Sequence, residues 1–150
     1  MKSYFYQKLI SAGKALQQLF LLVIRLVWGW QFVLAGLGKW MKIASVADFF
    51  ATLKIPFPLV SASLVASVEA CGGLLLILRL FSRLISLPLA FTMIMALVTV
   101  HTDILAFFTD PTTLFSYSPF TFLMAALIIF IFGPGRFSLD SLFKIEPFKI

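Results

Sequence analysis

Arg25, Lys39 and Glu69 are ionisable residues set in or at the ends of long apolar runs, and His101 and Asp103 lie near the end of another. An ionisable side chain inside a membrane span costs about 3 kcal/mol even on a lenient insertion scale, so it faces protein and takes a partner. A carboxyl group so placed can exchange a proton, and a guanidinium can hydrogen-bond a carbonyl. Glu69 is the only acidic residue deep in any apolar run, ten residues from Arg79. Arg25 lies nearer the same face, with a depth difference of about 6 Å at 1.5 Å per residue. This predicts an Arg25–Glu69 ion pair between the first and second long helices. Arg25, Gly29, Phe32, Gly36 and Lys39 share one helical stripe. Gly29 and Gly36 on that stripe, with Gly72 and Gly73 beside Glu69, let two helices approach closely. The pair also has a plain structural reading, in which a buried ion pair fixes which helices meet and in what register. In a third reading Arg25 reaches the headgroups and leaves Glu69 protonated.

A second polar group gathers at the opposite ends of these runs: Lys39, His101 and Asp103, with Asp48 and Asp110 in the adjoining loops. His101 is a candidate proton relay. One histidine without cysteine neighbours makes no metal site, so none is expected. Cys71 is the single cysteine, with no internal disulfide and no CxxC pair open to it. It is expected to be a small packing residue. Trp28, Trp30 and Trp40 are candidates to line a ligand site, and Trp40, beside Lys39, for an interface anchor.

The elements that must position these residues are membrane helices. The 150 residues are 61% hydrophobic and 12% charged, far more apolar than a soluble domain of this size requires. Four runs reach the roughly 20 apolar residues of a span: about 16–40, 58–79, 84–107 and 114–133. They are continuous rather than alternating, which excludes barrel strands. Between the first two, Ile43, Val46, Ala47, Phe50 and Leu53 recur at helical spacing among Lys42, Asp48 and Lys54, the pattern of a short helix lying in the interface. Pro56 and Pro58 then open the second span, and Ser138 is placed to cap a short surface helix after the fourth. The turn at 80–83 is so short that spans two and three must be antiparallel neighbours. The expected architecture is therefore one domain over 1–150, an all-α, four-transmembrane-helix antiparallel bundle with an interfacial helix between helices 1 and 2.

Eight Lys and Arg flank one side of these spans (Lys2, Lys8, Lys14, Arg79, Arg83, Arg136, Lys144, Lys149) and three the other (Lys39, Lys42, Lys54). That bias puts both termini in the cytoplasm. The net charge of +6 is accordingly read as orientation and contact with the lipid bilayer; no basic run interleaved with aromatics points to nucleic acid. The basic start precedes an apolar run longer than a leader's, so no cleaved leader is expected. There is no CxxCH, cysteine cluster or GxGxxG, hence no catalytic motif and no intrinsic cofactor site.

Four stretches together, "RLVWGWQFVLAGLGKW" (25–40), "LKIPFPLVSASLVASVEACGGLLLILRLFSR" (53–83), His101 and "GPGRFSLDSL" (133–142), resemble the DoxX/DoxD family of small bacterial integral membrane proteins. The resemblance implies a four-helix bundle in the inner (plasma) membrane and a link to redox chemistry. DoxD-like members are subunits of a thiosulfate:quinone oxidoreductase, and some DoxX members associate with oxidative-stress enzymes. Arg25, Glu69 and Asp140 match positions of the family pattern, without assigned roles. The extra soluble domain of some DoxD-type members is not seen, so independent thiosulfate oxidation is not expected. The function expected is a membrane subunit or docking partner of a redox complex, with a quinone held near Arg25 and Glu69. The rivals are a small-molecule carrier acting as a homo-oligomer and an assembly scaffold.

Overall fold

The computed structural model describes residues 2–100 and 111–133, which are helical throughout apart from short turns. Helix α1 spans Lys2–Met41, about 60 Å at 1.5 Å per residue, against about 30 Å of bilayer hydrocarbon. It starts well before the apolar segment expected at 16–40, because the preceding Ala, Lys, Leu and Gln residues are all strong helix formers. The chain turns at Lys42 into α2, Ile43–Thr52. As its spacing predicts, Ala47 is buried while Ile43, Val46 and Phe50 are half-buried and Asp48 is exposed.

Two prolines shape the next turn. Pro56 and Pro58 bar the residues before them from right-handed helix, and Phe57 takes a left-handed φ of 48°. Pro58 then stands in the first turn of α3, Pro58–Leu78, where its missing N–H is no loss. Helix α3 closes through Arg79, whose φ of 58° is left-handed, and the Leu80 N–H reaches back to the Leu75 carbonyl at 3.0 Å. Helix α4, Ser82–Val100, follows at once and runs through Pro88.

The fourth expected span, 114–133, is two helices instead: α5, Pro111–Ser116, and α6, Ser118–Phe132. Pro119 explains the break. It lacks an N–H and crowds the preceding turn, so Tyr117 stays extended at φ −83°, ψ 114° and a new helix starts after it. Helices α1, α3 and α4 are long and apolar enough to cross a membrane; α6, equally apolar, has 15 residues. His101, Asp103, Asp110, Ser138 and Asp140 lie outside the described residues.

Helix α1 packs most extensively on α3, and α4 on α6; α3 also meets α4, α6 meets α1, and α2 lies on α3. Phe32, Leu76, Leu89, Met93, Ala126 and Ile129 pack together as a core drawn from all four long helices. Phe122 of α6 joins it edge-on to Phe32 and Trp28, with ring centroids 4.7 and 5.0 Å apart. The remaining Leu, Val, Ile and Phe side chains largely face outward, as lipid-facing helices require. Cys71 is among the outward-facing residues, which corrects the expectation that it packs inside. Glu69, Gly72, Gly73 and Leu76 take the inner face of α3, and Cys71 falls opposite it.

Candidate functional site

The seam between α1 and α3 sets the position of Glu69, and Arg25 stands on its α1 side. Leu21, Arg25, Gly29, Phe32 and Gly36 form the buried stripe of α1. A Cβ on Gly29 would lie 3.0 Å from the Gly73 carbonyl oxygen and 2.9 Å from Ile77. A Cβ on Gly36 would meet the backbone of Ala70 and stand 2.7 Å from the Ala66 carbonyl oxygen. Gly73 returns the contact against Gly29, Phe32 and Val33. The two backbones therefore touch at Gly29, Gly36 and Gly73, as the glycine spacing predicts, whereas Gly72 faces Leu89 of α4 instead. These contacts also fix the helices as antiparallel, with residue 36 level with 66–70 and residue 29 level with 73–77.

That register overturns the predicted Arg25–Glu69 ion pair. Glu69 lies level with Gly36, eleven residues along α1 from Arg25, an axial separation of about 16 Å at 1.5 Å per residue. Glu69 pairs instead with Lys39, the ammonium donating to Oε2. Side-chain direction supplies the reason. Helical side chains lean toward their own N-terminus. On antiparallel helices Lys39 therefore leans inward and Glu69 outward, so the two converge, whereas Arg25 leans away. Glu69 is 1% exposed and the Lys39 side chain 30%, so the carboxylate is enclosed and its partner reaches the surface.

Arg25 is equally buried and acts elsewhere. Its Nη2 donates to the carbonyl oxygen of Gly133, the residue that caps α6 with a φ of 70°. The last carbonyls of a helix have no partner within the helix, and a cation there also meets the negative end of the helix dipole. Arg25 thus ties the start of α1's buried stripe to the end of α6. The Arg83 guanidinium crowds the same glycine: a Cβ there would lie 2.6 Å from its Nε. Replacing Arg25 with leucine is expected to destabilise the protein by about 1–3 kcal/mol, the cost of stranding a buried acceptor. Detergent unfolding followed by circular dichroism checks this.

Of the other candidates, Gly29 and Gly73 serve the helix contact and Lys39 pairs with Glu69; His101 and Asp103, the rest of the expected outer group, lie outside the described residues. Trp30 and Trp40 face outward, while Trp28 packs on Phe122. Phe122 was missed in the sequence; nothing in its apolar surroundings marks it out. Among the described residues no group of three or more His, Cys, Asp or Glu stands ready for a metal ion.

Apolar helices of spanning length, a glycine-lined seam and enclosed charges define a helical membrane protein. Within that class, residues 20–102, more than half of the chain, match the DoxX family, and the chain belongs to it. It is also similar to the Bacillus subtilis (strain 168) protein named "Putative oxidoreductase CatD", with 30% identity over 79 residues, 53% of this chain. The matched part spans 58% of that relative's length. No solved structure matches the chain.

Proposed function

We propose that this protein is the membrane subunit of a bacterial redox complex and that it presents a lipophilic electron carrier of the quinone class at the Lys39–Glu69 pair. The observation that carries the reading is an enclosed carboxylate beside a half-enclosed ammonium, at the end of an apolar seam. The donor set fits such a carrier: the Lys39 ammonium donates to a carbonyl oxygen, and the Glu69 carboxyl group holds or yields a proton beside it. A bound quinone supplies two-electron, two-proton exchange with the membrane pool. In this reading the electrons come from a protein partner. The oxidoreductase in the relative's name supports the redox class. In this reading four segments cross the inner membrane, with α5 and α6 together as the fourth, and both termini are cytoplasmic.

The site differs from the one expected between Arg25 and Glu69. Arg25 belongs to the helix-capping contact at Gly133, so substitution there is expected to change stability rather than ligand content.

The test is mass spectrometry of the protein purified in mild detergent, covering extracted lipophilic molecules and co-purifying proteins. Stoichiometric quinone is expected from the wild type and is expected to be lost in Glu69→Gln. A constant protein partner without any small molecule would instead identify a scaffold. If neither is found and proteoliposomes show solute flux, the protein is a carrier.

A further inference from the structure

The Lys39–Glu69 pair stands between two unlike ends of the helix assembly. Toward Gly133 the next layer is apolar. Phe32 of α1 and Leu76 of α3 lie between the level of Glu69 and that of Arg25, and they pack with Leu89, Ala126 and Ile129. All five are 0% exposed. The buried hydroxyls of Ser86 and Thr92 donate within α4, to the carbonyls of Arg83 and Leu89 at 2.8 Å each, so neither donates toward Glu69. Protons do not cross such a layer without water or a polar chain, because a bare charge in a dry interior is prohibitively costly.

Toward α2 the surroundings reverse. Lys39 keeps 30% of its side chain exposed while Glu69 keeps 1%. Lys42 and Asp48 at α2, and Lys54 in the turn after it, are exposed around this end. On α3 and α4 the remaining charged residues are Arg79, just past α3, and Arg83, both at the opposite end. Among the described residues, Lys39 is therefore the only polar side chain bonded to Glu69 and open to the surface.

We infer that Glu69 exchanges its proton only with water at the α2 end, on the side where Lys39 reaches the surface, and that the apolar layer closes the Gly133 end to it. A hydronium ion on the α2 side gives its proton to the Glu69 carboxylate, which becomes the neutral acid and leaves a water molecule. Lys39 keeps its own proton and its ammonium turns to the water. Loss of the proton restores the pair, and no electron moves. On the topology proposed above, the α2 end is extracytoplasmic. Quinone chemistry at this pair, which rests on that proposal, would then take up or release its protons outside the cytoplasm.

Infrared difference spectroscopy on oriented proteoliposomes tests this with the intact protein. The Glu69 carboxyl band is assigned by its loss in Glu69→Gln, or by its displacement in Glu69→Asp if the first variant does not fold. A pH step on the α2 side is expected to change the band, and the same step on the Gly133 side to leave it unchanged. A response to the Gly133 side, to both sides or to neither overturns the inference. A second readout places Lys39→Cys in a Cys71→Ser background. A membrane-impermeant thiol reagent is expected to label it from the α2 side alone; labelling from the other side, or none, overturns the inference. Quinone enters neither measurement, so a failed quinone assignment and a failed access route give separate results.

Discussion

Gly36→Ala is expected to destabilise the protein by about 3 kcal/mol, at the upper end of the usual cost of overpacking, while Gly38→Ala costs nothing. The two substitutions are chemically identical and two residues apart on one helix. Alanine is the better helix former by about 1 kcal/mol, so propensity alone favours both. Their surroundings differ. A Cβ on Gly38 has nothing within 4 Å, whereas on Gly36 it meets the Ala70 backbone and lies 2.7 Å from the Ala66 carbonyl oxygen. Backbone atoms of a packed helix cannot swing aside as a side chain does. Relief requires α1 and α3 to separate, which loosens contacts along the whole seam. Unfolding by titration with a denaturing detergent, followed by tryptophan fluorescence, reads the difference, since Trp28 reports through its edge-on contact with Phe122. Equal stability of the two variants would refute the close approach at Gly36.

The second large effect concerns charge. Lys39→Met leaves the Glu69 carboxylate enclosed without its cation. Breaking a fully buried pair costs about 3–5 kcal/mol. Lys39 is 30% exposed, so solvent screening reduces that to about 2 kcal/mol. The exchange Lys39→Glu with Glu69→Lys is expected to recover part of the loss. A double-mutant cycle isolates the coupling, about 0.5–3 kcal/mol for residues in contact. The same cycle on Arg25 and Glu69 is expected to give a coupling near zero, because about 16 Å of helix separates two residues that share no contact. A large Arg25–Glu69 coupling would show that the register derived from the glycine contacts is wrong. If the Lys39–Glu69 exchange restores stability but not partner activity or quinone content, the polarity of the pair matters to function. If it restores everything, the pair only orders the fold.

Both candidate partners of Glu69 stand in the sequence. Arg25 and Lys39 lie on one stripe of α1, fourteen residues apart, and either can face α3. Depth counted from the Lys and Arg residues that flank the spans assumes that the spans begin together. They do not: α1 is 40 residues long and starts far outside the apolar run. The lean of helical side chains toward their own N-termini would have favoured Lys39 once α1 and α3 were known to be antiparallel. Cys71 shows a similar limit. In a chain this apolar, hydrophobicity does not separate inward from outward faces, since lipid and core accept the same residues. The broken fourth segment was readable from Pro119, whose effect is local.

By itself, the sequence determined what depends on local chemistry and run length. It determined the long apolar helices, the amphipathic spacing of α2, the punctuation at Pro56 and Pro58, the small residues that permit close contact, and the motifs that mark the DoxX family. These follow from neighbouring residues or from composition, and no tertiary contact is needed to read them. Only the tertiary structure decided which charges meet. A one-residue slip between two helices changes depth by about 1.5 Å, and the backbone contacts at Gly29, Gly36 and Gly73 alone select the register. That register brings Lys39 to Glu69, and the packing of α6 against α1 delivers Arg25 to the carbonyl of Gly133.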